Sequence, residues 1–272
     1  MQYTHAAASA GQWIIDSCSL ADPATISAQV PLGYERYVRI LHPAYDEFDR
    51  PVRWSAVAAS RGRILQPSDL FEDIAGLDSA GNPLDEDSWV DSDLPVEALP
   101  AAQWQALAGH LAAAADQAAA GQPIYAGLWA GYAFIEGGER IQIEMEDDPA
   151  LDEAGNQAAR AAALAEAQKP AFGPEVLEAE QLQLGGGYRN YHLFEVDAEF
   201  LAEPLWAVTA DGQQRQLPSL AFPAGHDWMA STEPYDDSTI VGGSAQLIEA
   251  ILADARLEAI EVGQFTRIGH SA

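Results

Sequence analysis

Cysteine is almost absent: Cys18 stands alone in 272 residues. No intramolecular disulfide can form, and a cysteine metal cluster is excluded. Lysine is as scarce, with Lys169 the sole example, and 13 basic residues face 42 acidic ones for a net charge of −29. Nucleic-acid binding rests on Lys and Arg contacts to phosphate, and an anionic membrane repels such a field, so neither is an expected partner. The charge would instead draw a basic protein, a polyamine or divalent cations, or it serves only to keep the chain in solution. No apolar run approaches the ~20 residues of a membrane span. The start, MQYTHAAASAGQWIIDS, lacks the basic stretch and apolar run of a secretory signal. A cytoplasmic location is the expectation.

Catalytic motifs are missing too. There is no G-x-S-x-G elbow, no H-E-x-x-H, no phosphate loop, no dinucleotide glycine fingerprint and no kinase pattern. The triple glycine Gly185, Gly186 and Gly187 is followed by neither Lys-Ser nor Lys-Thr. In the loop GNPLDEDSWVDSDLPVE the carboxylates Asp85, Asp87, Asp91 and Asp93 suggest calcium, yet the glycine and distal glutamate of the calcium loop are not at the required offsets. A solvated acidic loop is the reading. No metal and no cofactor is expected. An enzyme is still open, because a site can be assembled from scattered residues.

What is present is a core-forming chain, 48% hydrophobic, whose best organised stretch runs from Pro223 to Val262. His226 to Thr232 and Ser238 to Val241 read as strands, Gly242 and Gly243 as a sharp turn, and Ser244 as the cap of a helix bearing Leu247, Ile248, Ile251 and Leu252 on one face. Leu257 to Val262 alternates as a half-buried strand does. Upstream, Gln12 to Ile15 is a possible first strand, and the block from Tyr34 to Asp49 fits helix or strand, with its β-branched and aromatic content favouring strand. Trp54 to Ala59 and Pro67 to Ile74 read as short helices. Pro100 to Ala119 is the clearest helix, with Trp104, Leu107 and Leu111 on one stripe. Pro123 to Ile135 reads as a central strand, able to form a hairpin with Arg140 to Met145. Strands are also expected in Tyr188 to Phe200, Leu205 to Val208 and Leu217 to Phe222, the last two split by a turn at Asp211 and Gly212.

These elements add up to an α+β fold, with a single mixed, mostly antiparallel sheet flanked by helices. One domain over residues 1–272 is expected, carrying an acidic helical insertion at 147–187.

The side chains worth weighing fall into two sets. Histidines with nearby carboxylates, namely His42, His192, His226, Asp227 and Asp237, could bind zinc or manganese or run acid and base chemistry if they converged. Singly, each histidine reads better as a hydrogen-bonded structural residue. The second set could form a binding surface: Arg39, Asp85, Asp87, Trp89, Asp91, Trp129, Tyr191 and Trp228. Arg36, Arg39, Arg50, Arg53, Arg61 and Arg63 are clustered in one region, either as an anion site or, more simply, as ion-pair partners for abundant carboxylates.

The blocks YERYVRILHPAYD, WSAVA, GLWAGYAF, YHLFEV and HDWMASTEPYDDSTIVGGSAQLIEAILADARLEAI, together roughly a third of the chain, resemble an uncharacterised family of actinobacterial proteins. The D-D-S-T-x-V-G-G-S run is the most specific of them. The resemblance implies one domain and transfers no catalytic residue. A fainter similarity, in overall rhythm alone, is to the immunity-type proteins that neutralise toxins. Two functions are therefore expected in competition. One is an acidic cytoplasmic module that binds a basic protein; the other is an enzyme or small-ligand binder using the histidines.

Overall fold

The computed structural model describes residues 3–19, 21–78, 81–89, 98–137, 150, 152–167, 169–185, 189–209, 212–234 and 236–269. In chain order the elements are β1 (Tyr3–Ala6), α1 (Gln12–Ser17), α2 (Ile26–Gln29), β2 (Arg36–Leu41), β3 (Ala44–Tyr45), β4 (Pro51–Val52), α3 (Trp54–Ser60), α4 (Phe71–Ala75), α5 (Ala101–Ala118), β5 (Ile124–Trp129) and α6 (Ala133–Glu136). There follow α7 (Glu153–Ala167), α8 (Pro174–Leu177), β6 (Leu182–Leu184), β7 (Arg189–Val196), α9 (Ala198–Ala202), β8 (Ala207–Thr209), β9 (Gly212–Gln214), β10 (Leu220–Pro223), β11 (Met229–Ser231), β12 (Ser238–Gly243), α10 (Ala245–Ala253) and β13 (Ala259–Val262).

One large sheet organises these pieces in the order β1-β7-β5-β10-β11-β12-β2-β13, with β6 pairing the same strand β7 as β1 does. Every pairing among its described strands is antiparallel. The α+β expectation holds.

Both faces of the sheet are covered, which explains why the central strands β5 and β10 are apolar instead of alternating. On the upper face Val38, Ala126, Leu128, Phe194, Ala221, Ala230 and Val241 pack under α5, α9 and α10. Trp104, Leu107 and Leu111 of α5 meet Ile248 and Ile251 of α10 there, all at most 1% exposed. Burial of each such side chain is worth roughly 1.5–3 kcal/mol. The indole of Trp104 also donates to the carbonyl of Leu201 at 2.6 Å, which fastens α5 to α9. On the lower face Tyr37, Tyr191, Leu193, Leu220, Phe222, Met229 and Ile240 are roofed by Ile14, Ile26 and Val30 of the N-terminal segment and by Ile268. A third, separate cluster joins α3 and α4 through Trp54, Val57, Phe71 and Ile74.

Several local expectations change. Gln12 to Ile15 belongs to helix α1, because Ile14 is buried in the lower core and Trp13 packs against it while Gln12 and Ile15 stay exposed. The expected helix from Pro67 begins only at Phe71. The strand from Pro123 stops at Trp129 and α6 follows; β5 is bonded to β7 and β10, and residues 140–145 lie outside the described residues. Gly242 and Gly243 continue β12 instead of turning. At Gly242 a Cβ would stand 2.4 Å from the ring of Tyr34, so the glycine admits an aromatic residue against the strand. Ser244 does cap α10, accepting from the amide of Leu247 at 3.3 Å. Within 147–187, α7 is a largely exposed helix, while Phe172 and Val176 enter the upper core and β6 joins the sheet. Among the described residues no helix is long and apolar enough to cross a membrane.

Candidate functional site

Four segments of the lower face meet at the end of the sheet where β10 turns into β11. Helix α1 supplies Trp13 and Ser17, which lie four residues apart and therefore on one helical face. The loop after α2 supplies Leu32, Tyr34 and Glu35; the β10–β11 turn supplies His226 and Asp227; and the end of β12 supplies Gly243, followed by Ser244 at the start of α10. Between them is a cleft of about 420 Å³.

Its wall is aromatic. The rings of Trp13 and His226 stack with centroids 4.0 Å apart and planes 16° from parallel. Phe222 holds Trp13 from the side, edge-on at 5.5 Å, and Tyr34 lies across the cleft, edge-on to Tyr37 at 6.0 Å. His226 has φ of +60°, a backbone region that costs an L-residue free energy and that glycine enters easily. The turn is held in that shape by Gln122, whose Oε1 accepts from the Gly225 amide at 2.8 Å while its Nε2 donates to Asp227 at 3.2 Å. A Cβ at 225 would lie 2.6 Å from the Asp227 carboxylate, so a larger residue there would push that side chain aside.

Charge in the cleft is negative. Asp227 and Glu35 are exposed carboxylates. Glu35 accepts from the Ala245 amide at 2.7 Å, so one of its oxygens already satisfies the N-terminus of α10. The helix end carries roughly half a positive charge, less than the two carboxylates carry. Burial lowers the pKa of His226, opposed by Asp227, and the imidazole is neutral at pH 7. Burial pushes the Tyr34 hydroxyl up, and it too stays neutral.

A second polar group lies deeper on the same face. Tyr191 donates to Glu233 Oε1 at 2.7 Å, and Arg189 Nη1 sits 3.0 Å from Oε2 as an ion pair without hydrogen-bond alignment. Gln29 donates to Asp236 at 2.7 Å. Burial raises the pKa of Glu233, pushes Asp236 up to about 7 and, with Glu233 assisting, pushes Cys18 up to about 12.

The three histidines singled out in the sequence do not meet. His42 is buried beyond the end of β2, its Nε2 3.0 Å from the Thr239 hydroxyl. His192 lies on β7, its Nε2 3.2 Å from Gln181. Strands β7 and β2 are five steps apart in the sheet, or ~24 Å at the usual strand spacing, and His226 sits at the opposite end of β11 from Thr232, which bonds Thr239. Among the described residues no group of three or more His, Cys, Asp or Glu side chains is placed to hold a metal.

The remaining candidates have structural partners. Arg39, fully buried, donates to Ser238, to Asp237 at 3.0 Å and to the carbonyl of Asp69 at 2.7 Å, and lies over the Trp54 ring, which ties the α3–α4 unit to the sheet. Asp237 is spent in that contact. Asp85 takes both amino groups of Arg61, which holds its carboxyl down at about 2. Asp87 is exposed, whereas Trp89 turns inward against the α3–α4 cluster, its amide donating to Ala75 at 2.7 Å. Asp91 lies outside the described residues. Trp228 is fully buried in the upper core, and Trp129 is half-buried, edge-on to Tyr132. The other arginines of the N-terminal region are paired as well: Arg36 with Glu261 and Glu249, Arg50 with Asp46, Arg53 with the Ala255 carbonyl and Arg63 with that of Asp73.

Of the cleft, sequence reading found His226 and Asp227 and missed Trp13, Tyr34 and Glu35. Comparison of the chain with protein-family models, with curated proteins and with solved structures finds no match.

Proposed function

We propose that this protein is an acidic binding module that engages a basic protein partner in the cytoplasm, and that the cleft between α1 and the β10–β11 turn is where it does so. The observation that carries the reading is the stacked Trp13–His226 pair lining one cleft with the exposed carboxylates of Asp227 and Glu35, on a chain of net charge −29. A flat neutral aromatic face beside anions attracts cations, first through the long-range field and then through contact with the ring. Enzymatic use of the histidines has less support, since His42, His192 and His226 lie in three separate surroundings.

The test is a calorimetric titration with a short peptide of alternating arginine, lysine and glycine, at low and at physiological ionic strength. A saturable one-to-one complex, weakened by salt as the screening length shortens and weakened again in the double variant Asp227→Asn with Glu35→Gln, supports the reading. Uptake that never saturates and ignores that variant would show that the charge only solubilises the chain.

A further inference from the structure

We infer that the cleft is a receptor for an arginine side chain, with the guanidinium laid on the open face of His226 and bonded to Asp227. The inference rests on the binding role proposed above and narrows it to one chemical group.

Shape comes first. One face of the His226 ring is covered by Trp13 at 4.0 Å and Phe222 stands edge-on to it at 6.4 Å, yet the residue is exposed and lines the cleft; the third flat layer would lie on the face opposite Trp13. A guanidinium is planar, weakly hydrated and stacks on aromatic faces; an ammonium is compact and strongly hydrated and has no face to stack. Leu32, 38% exposed, lines the same cleft and offers apolar cover for the three-carbon stem of an arginine.

Charge selects the sign. The N-terminus of α10 would ordinarily invite an anion, but here Glu35 already accepts from Ala245 and Ser244 from Leu247. An incoming anion would find those donors occupied and two carboxylates facing it. A cation meets the carboxylate of Asp227, which is held in place by Gln122 at 3.2 Å, and the free oxygen of Glu35.

Backbone geometry supplies an independent pointer. A residue of ordinary rotamer freedom is held at φ of +60° where glycine would be easier, on a turn fixed by Gln122 and Gly225. Non-glycine residues in this region gather where a side chain has to be presented in a set direction. The side chain presented here is the imidazole of the stack.

The experiment is a proton–nitrogen NMR titration of the full chain with N-acetyl-arginine amide and, separately, N-acetyl-lysine amide, following the indole signal of Trp13 and the ring signals of His226. Arginine is expected to saturate both signals with at least five-fold higher affinity than lysine. Asp227→Asn is expected to weaken the arginine complex about tenfold. His226→Gly, which suits the backbone, is expected to abolish the arginine preference while the melting temperature stays near that of the parent. Equal affinities for the two probes, with both perturbing the cleft, would overturn the guanidinium assignment and leave the basic-partner reading intact. Binding of the arginine probe that leaves Trp13 and His226 signals unmoved would overturn the assignment of this cleft. No response to either amide, together with no binding of the basic peptide, would overturn both readings.

Discussion

The two polar groups on the lower face differ in what they have left to give. Around Glu233 the strong groups are spent on one another: Tyr191 donates to it, Arg189 neutralises it, and Gln29 holds Asp236. These contacts join β7, the β11–β12 connection and the end of α2, three segments far apart in the chain. Around His226 the imidazole and the carboxylates of Asp227 and Glu35 are exposed, and the His226 backbone is held in a costly conformation. Burial with charge pairing makes a clamp; exposure with residual charge is what the proposed receptor would use. The difference matters for mutation, since the clamp should govern stability and the cleft should govern binding.

Removing the centre of the clamp has the largest expected effect. Glu233→Ala deprives the fully buried Tyr191 hydroxyl of its acceptor and leaves a void, for a loss of about 3 kcal/mol. The Arg189 side chain, a third exposed, can turn to water and adds little. Urea denaturation measures the loss, while affinity for the arginine probe stays unchanged. A variant of parental stability would mean that Glu233 is not a clamp.

Asp236 gives the clamp a pH signature. Its folded pKa of about 7 lies well above the 3.8 of a free aspartate, so between those values the folded state holds a proton that the unfolded state has released. Stability therefore falls as pH rises from about 4 to about 7 and is level above. Glu233, also shifted upward by burial, slopes the same way. Asp236→Asn keeps an acceptor for Gln29 and removes the titration, so it should stabilise the protein by about 1–2 kcal/mol at pH 8 and flatten the slope. Denaturation midpoints at pH 5 and pH 8 decide this, and a parent with no such slope would contradict it.

The same contrast shows what could be read in the sequence. Strands β2, β7 and β12 and helices α3, α5 and α10 were legible because apolar periodicity, β-branched content and the Ser244 cap all agree within each segment. The covering of both faces was not, since the N-terminal roof is built from α1 and α2, six and four residues long, too short to show a period. Trp13 was hidden for that reason. Glu233 and Asp236 were hidden for another: among 42 acidic residues nothing local separates a buried carboxylate from a solvated one. Their partners, Tyr191 and Gln29, come from other elements and are chosen by the sheet order. His226 and Asp227 were visible as residue types, but grouping them with His42 and His192 assumed a convergence that five strand steps prevent.

The smallest effect on stability is expected in the cleft, where the expected effects on binding are largest. Protonating His226 would place a positive charge directly against the stacked guanidinium, beside Asp227 and Glu35. Because burial lowers its pKa, affinity for the arginine probe should hold from pH 8 to about 6.5 and fall below that, a trend opposite to the gain in stability that Asp236 brings on acidification. His226→Gly separates the two. The substitution relieves the left-handed backbone, worth roughly 1–2 kcal/mol, and gives up the stack on Trp13, worth roughly 0.5–1.5 kcal/mol; glycine also costs roughly 0.5–1 kcal/mol through the freedom it gives the unfolded chain. The net change should lie within about 1.5 kcal/mol of zero, while the pH dependence of binding disappears. If calorimetric melting instead shows a drop of several kcal/mol, the imidazole is a packing residue and the turn exists to fill the lower core; if stability holds and binding is lost, the strain at position 226 is retained for the ligand.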